Sequence, residues 1–147
     1  MDTVSALKKV LSNTFSLYLN AHNFHWNVEG RDFAQLHEFF GNLYQELHGA
    51  VDPIAEHIRA LNSYVPGSFT RFKEMTDVPE ETAIPSSTDM ITRLYNSNNI
   101  VIISLRECVE SAKRENLEEI VNFIGGRLEA HAKHAWMLRS FTRTDRE

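Results

Sequence analysis

Apolar residues recur at steps of three and four along four stretches of this chain, each far too long to be a strand. The first covers roughly Thr3 to Val28, where Val4, Leu7, Leu11, Phe15, Tyr18, His22 and His25 share one helical face. The second runs from about Asp32 to Leu61 on Phe33, Leu36, Phe40, Leu43, Leu47, Val51, Ile54, Ile58 and Leu61. The third carries Ile91, Leu94, Asn98, Val101, Leu105, Cys108 and Ala112. The fourth carries Leu117, Ile120, Ile124, Leu128, His131, Ala135 and Leu138. No strand pattern of weight competes. Helices with one apolar stripe each must bury those stripes against one another, which predicts an all-α four-helix bundle.

The punctuation fits that reading. Gly30 separates the first two helices, and Pro53 removes a backbone donor inside the second and should bend it. Residues 62–87 hold three of the four prolines and no long period. So long a structureless loop is uncommon in a compact domain, so "SFTRFKEMT" is expected to form a short helix within it. A connector of this length can run the height of a bundle, which would make helices two and three parallel. "PSSTDM" starts helix three, with Ser86 or Ser87 as cap and Asp89 in the first turn. "KREN" ends it, and Gly125-Gly126 weakens helix four and would permit close helix approach.

The 147 residues are expected to form a single domain, 1–147. The start, "MDTVSALKKV", has no signal-peptide core and no 18-residue apolar run exists, so the chain reads as cytoplasmic with no membrane span. Cys108 is the only cysteine, which excludes an intrachain disulfide and reads as a small buried residue. A net charge of −5 argues against a general electrostatic attraction to nucleic acid.

His25 and His37 lie twelve residues apart on either side of Gly30. In an antiparallel hairpin turning near Arg31 they come level, where two imidazoles can share a metal or bracket two. The plainer reading is two core histidines with one hydrogen bond each. Asp52 and Glu56, at i and i+4, project from one face of helix two, as a carboxylate pair for a metal or as a solvated acidic face. Fifteen residues of helix between His37 and Asp52 amount to about 22 Å, which no single ion spans. The two pairs can meet only between chains, for instance where two copies pack their second helices antiparallel about a two-fold axis. Two imidazoles and two carboxylates suit iron, manganese or zinc.

"HWNVEG…F..LH..F" followed by "D..AE" resembles the signature of the Dps-type mini-ferritins, the ferritin-like DNA-binding proteins from starved cells. The family's spacing of twelve, fifteen and four is matched by His25, His37, Asp52 and Glu56, and "RLEAHAKHAWMLRS" is similar to the family's last helix. The resemblance covers nearly the whole chain. It implies a ferritin-like four-helix bundle with a short helix in the long crossover. It implies a hollow homododecamer whose ferroxidase centres, two irons each, lie at dimer two-folds. There Fe(II) would be oxidised by hydrogen peroxide or oxygen, and ferric mineral stored inside.

The same resemblance assigns further residues. Trp26 would sit beside the centre and absorb stray oxidising equivalents, or simply pack in the core. His22 stands where many members have Lys, as an extra ligand or a hydrogen-bonding neighbour. Many members carry mineral-nucleating acids where this chain has Gly41 and Asn42, leaving Glu38 and Glu46 for that role. His48 and His57 read as structural or surface residues. Glu118 and Glu119 would line a three-fold iron pore, or merely favour the helix dipole. The alternative function is DNA binding and compaction. In the family this often uses a Lys-rich tail ahead of the first helix, but here only Lys8 and Lys9 lie near the start. At the other end, Asp145 and Glu147 offset two of Arg139, Arg143 and Arg146.

Overall fold

The computed structural model describes residues 1–143 of the chain. Asp145, Arg146 and Glu147, weighed above for DNA contact, lie outside the described residues. Five helices follow in order: α1 (Thr3–Asn27), α2 (Phe33–Ala60), α3 (Phe69–Met75), α4 (Ser87–Arg114) and α5 (Glu118–Phe141). No strand occurs among the described residues.

Local chemistry accounts for the helix limits. Asp2 caps α1 by accepting from Ser5 N, Ser68 caps α3 through Arg71 N, and Ser86, not Ser87, caps α4 through Asp89 N. Each such cap contributes about 1 kcal/mol. Past the ends of α2 and α4 the chain turns through left-handed backbone at Asn62 (φ 64°) and Asn116 (φ 58°), where Asn is tolerated. Gly30, at φ 113°, opens the α1–α2 turn in a conformation open to glycine alone.

Helix directions follow from cross-contacts. His25 of α1 meets His37 of α2, and Thr3 at the start of α1 bonds Glu115 at the end of α4, so α1 is antiparallel to both. Helices α2 and α4 are therefore parallel, and the crossover runs the length of the bundle. Asn20 and Asn23 tie it to α1 by donating to the carbonyls of Pro79 and Glu81. Leu7, Leu11, Leu17, Phe24, Leu36, Phe40, Leu47, Ile54, Ile58, Leu94 and Leu105 fill the core.

Cys108 is buried, and burial, with Glu115 nearby, pushes its thiol up to about 12, which makes it inert. Gly125 and Gly126 differ from expectation. Both are exposed with open space where a side chain would project, so they bring no helices together within the chain. No helix of the described residues is long and apolar enough to cross a membrane.

Candidate metal centre

The α1–α2 hairpin brings His25 and His37 face to face, their rings stacked with centroids 3.9 Å apart and 15° from parallel. His25 Nδ1 donates to the backbone carbonyl of His37 at 2.7 Å, and His37 Nδ1 donates to that of His25 at 2.7 Å. A carbonyl only accepts, so both rings carry their proton on Nδ1 and present the Nε2 lone pair outward. Fixing one ring nitrogen to orient the other is how ligating histidines are held. Gly41, one turn after His37, makes room for this. A Cβ there would lie 3.0 Å from His25 Cε1 and 3.1 Å from Nδ1. Where an acid was expected to be missing, no side chain of any kind fits without displacing the ring.

Asp52 and Glu56 are exposed on the far half of α2. That helix is continuous from Phe33 to Ala60, with Pro53 inside it, so the histidines and the carboxylates stay about 22 Å apart along its axis. Among the described residues no three His, Cys, Asp or Glu side chains gather within one chain to hold a metal.

Around the histidines lies an aromatic cluster. The His22 ring stacks on Tyr44 at 3.7 Å and 7°, and its Nδ1 shares a hydrogen bond with the Tyr18 hydroxyl at 3.0 Å. Burial first, then His25 and His48, lower the pKa of His22 and keep it neutral. Trp26 lies against His22 at 3.8 Å with 60% of its surface exposed, so it is no core residue of this chain. His48 packs near Tyr18, and His57 lies on Phe123 of α5.

Glu46 is not a free carboxylate for mineral. It accepts from Arg127 through both oxygens and from His134 Nε2 at 2.7 Å. Burial alone would raise the Glu46 carboxyl, but the hydrogen bonds from His134 and Arg127 outweigh it and hold it far below the carboxylate range. Arg127 also donates to His131 Nε2 at 3.1 Å, while His131 Nδ1 donates to Asn98 Oδ1 at 2.7 Å. His131 is fully buried, and burial, then Arg127 and His134, keep it neutral with a lowered pKa. Glu38 remains exposed. Glu118 and Glu119 are exposed in the first turn of α5, where Glu118 borders a groove of about 350 Å³ with Lys113 and Asn122.

Sequence reasoning did not find the Glu46–Arg127–His131–His134 cluster or the roles of Gly41, Tyr18 and Tyr44. Tyr18 and His22 are spaced i and i+4, and His131 and Arg127 likewise, a signal that one helical face carries paired polar groups.

The ferritin-like domain family matches residues 4–147. A DNA protection during starvation protein of Brevibacillus brevis is 31% identical over 138 residues, covering 92% of this chain and 91% of that protein. The Dps crystal structure from Staphylococcus aureus superposes with a TM-score of 0.93 at 29% identity, covering 97% of this chain and 96% of that one. That of the Vibrio cholerae Dps gives 0.92 at 25% identity, covering 96% and 89%, and is described as a member of a broad superfamily of ferritin-like diiron-carboxylate proteins. With the family matched from residue 4 onward and Dps proteins aligned over almost all of its length, this chain belongs to the ferritin-like family and, within it, to the Dps-type mini-ferritins.

Proposed function

We propose that this protein oxidises ferrous iron with hydrogen peroxide or oxygen at centres shared between two subunits, and stores the ferric product inside a cytoplasmic homododecameric cage. The observation that carries the reading is the pair of imidazoles clamped by each other's main chain, with both Nε2 atoms free and their complementary carboxylates beyond reach in the same chain. Each centre would take His25 and His37 from one subunit and Asp52 and Glu56 from its two-fold mate. The similarity to proteins of a diiron-carboxylate superfamily supports iron as the metal.

The donor chemistry fits the task. Nitrogen ligands of intermediate softness admit ferrous iron, and hard carboxylates favour the ferric product, which eases loss of the electron. Ligand rings held in place before iron arrives need no reordering when it does. Zinc and manganese, accepted by the same donors, would compete as substitutes. Removing ferrous iron and peroxide together protects DNA without touching it. Twelve subunits at −5 each sum to a formal −60, which opposes binding to phosphate backbones and disfavours the compaction reading.

Two variants test the shared centre. One has His25 and His37 replaced by Ala, the other has Asp52→Asn with Glu56→Gln. Each alone should assemble and oxidise iron poorly. Random co-assembly makes half of the dimers mixed, and each mixed dimer has one complete site, so about a quarter of sites should recover. No recovery, with mixed dimers demonstrated by native mass measurement, rejects the shared centre.

A further inference from the structure

We propose that Arg127 is a specificity-determining residue: its guanidinium fills a metal position in the core of each chain, formed by Glu46, His131 and His134, and so confines iron to the centres shared between subunits. The filled position is read from this chain alone. The confinement of iron rests on the ferroxidase reading above.

Four-helix bundles can hold metals between facing helices, on inward carboxylates and on ligand pairs three residues apart along one helix. Here α5 turns His131 and His134, spaced in that way, toward Glu46 of α2. The donors are of the same kinds as those of the shared centre, imidazole and carboxylate. Asn98 of α4 fixes the first imidazole. His131 Nδ1 donates to Asn98 Oδ1 at 2.7 Å, and Asn98 Nδ2 donates to the His131 carbonyl at 3.0 Å. The Nε2 lone pair of His131 is thereby aimed at Arg127. Arg127 Nη2 stands 3.1 Å from His131 Nε2 and 3.1 Å from Glu46 Oε1, and the same oxygen accepts from His134 Nε2 at 2.7 Å. A positive group thus sits where the donors converge. With it in place they do not gather closely enough to hold a metal.

Charge explains the occupant. A carboxylate among buried groups needs a cation beside it, so removing the guanidinium leaves Glu46 in want of another. Arginine does not give up its proton, so the position stays filled whatever the pH. Arg127 Nε is buried with no partner, so hydrogen bonding is not what its placement optimises. The Glu46 side chain keeps 37% exposure, which leaves the position within reach of ions from solvent. Along α2, Glu46 lies about 14 Å from His37 and about 9 Å from Asp52. Iron held there would serve neither half of a shared centre.

Cobalt(II) is the probe, since its visible absorption reports nitrogen ligation. The background chain has all four shared-centre ligands replaced (His25→Ala, His37→Ala, Asp52→Asn, Glu56→Gln), so cobalt has no site there. Adding Arg127→Ala should create a site for about one cobalt per chain, with a visible band and a raised melting temperature. A further Glu46→Gln or His131→Gln should abolish the band, and Arg127→Lys, which keeps a cation in place, should show none. A folded Arg127→Ala chain that binds no cobalt overturns the proposal, and so does an unfolded one that cobalt does not restore. Equal binding by the background with Arg127 intact overturns it too. With the shared ligands present, Arg127→Ala should oxidise limiting ferrous iron more slowly and regain the native rate once iron exceeds the extra site; a native rate at limiting iron overturns the confinement. Native protein that oxidises no iron overturns the ferroxidase reading and leaves the cobalt result standing.

Discussion

Gly41 shows how a single position can be read wrongly from its type and rightly from its surroundings. In sequence it looked like the loss of an acid. In the fold its bare α-carbon is what admits the His25 ring. Gly41→Ala therefore separates stability from function. Ala is favoured over Gly inside a helix by about 1 kcal/mol, so the variant should stay folded. Its methyl would lie 3.0 Å from the imidazole, which must shift by a few tenths of an ångström against the His37 carbonyl, and disturbing the support of a metal ligand costs on the order of tenfold or more in affinity or activity. Ferrous binding by calorimetry and oxidation rate should both fall while thermal stability does not; unchanged binding would show that the ring gives way without harm. His25 and His37 were legible because their spacing about Gly30 sets them level. The carbonyl each ring bonds was not, because main-chain partners leave no trace in residue type.

At the scale of the element, α2 is the organising helix. It carries His37 near its start and Asp52 and Glu56 in its far half, and α5 holds it through Glu46, Arg127 and His134. This link is acid-labile by the sign of its titrations. His131 has a folded pKa below its ordinary 6.5, so its contribution is complete above that pH and is lost as pH falls. Each unit below 6.5 costs up to about 1.4 kcal/mol until the folded value is reached. Glu46, lowered from 4.5, adds a second loss in the same direction below that pH. Protonating His131 would also set a new N–H against the Arg127 guanidinium. Denaturation midpoints should decline from pH 6.5 downward, and His131→Gln should flatten the upper part of that decline; a midpoint constant from pH 7 to 5 would contradict it. Helix existence was written plainly in the apolar stripes, since stripes report burial. This polar link was not, since Glu46 and Arg127 look like surface residues until α2 and α5 are laid together.

For the proposed cage, charge and openings would decide what reaches the interior. A cage of negative subunits needs a passage that attracts cations, and exposed Glu118 and Glu119 at the start of α5 are the acids proposed for it. Replacing both with Gln should slow mineral growth several-fold while the ligands remain in place; equal uptake rates would remove these residues from the route. The same charge forecasts that the metal-free assembly leaves duplex DNA unshifted on a gel at neutral pH and moderate salt, and a retarded band would revive the compaction reading. The bundle was legible from the chain, but the proposed assembly is a relation between copies, and one chain's stripes do not say how many would close a shell.

The two bonds between His25 and His37 end on main-chain oxygens. A point substitution cannot delete a carbonyl, so if either histidine is replaced, the anchor of the other survives. Natural variation can thus discard one imidazole and regain it later without the remaining ring losing its aim. Insertions and deletions are another matter. One residue gained or lost between Val28 and Phe33 changes the length of the turn that sets the two rings level, and with it the register of both carbonyls against both rings at once. The interval of twelve is a length that drift in residue identity leaves alone and a change in the length of the turn disturbs.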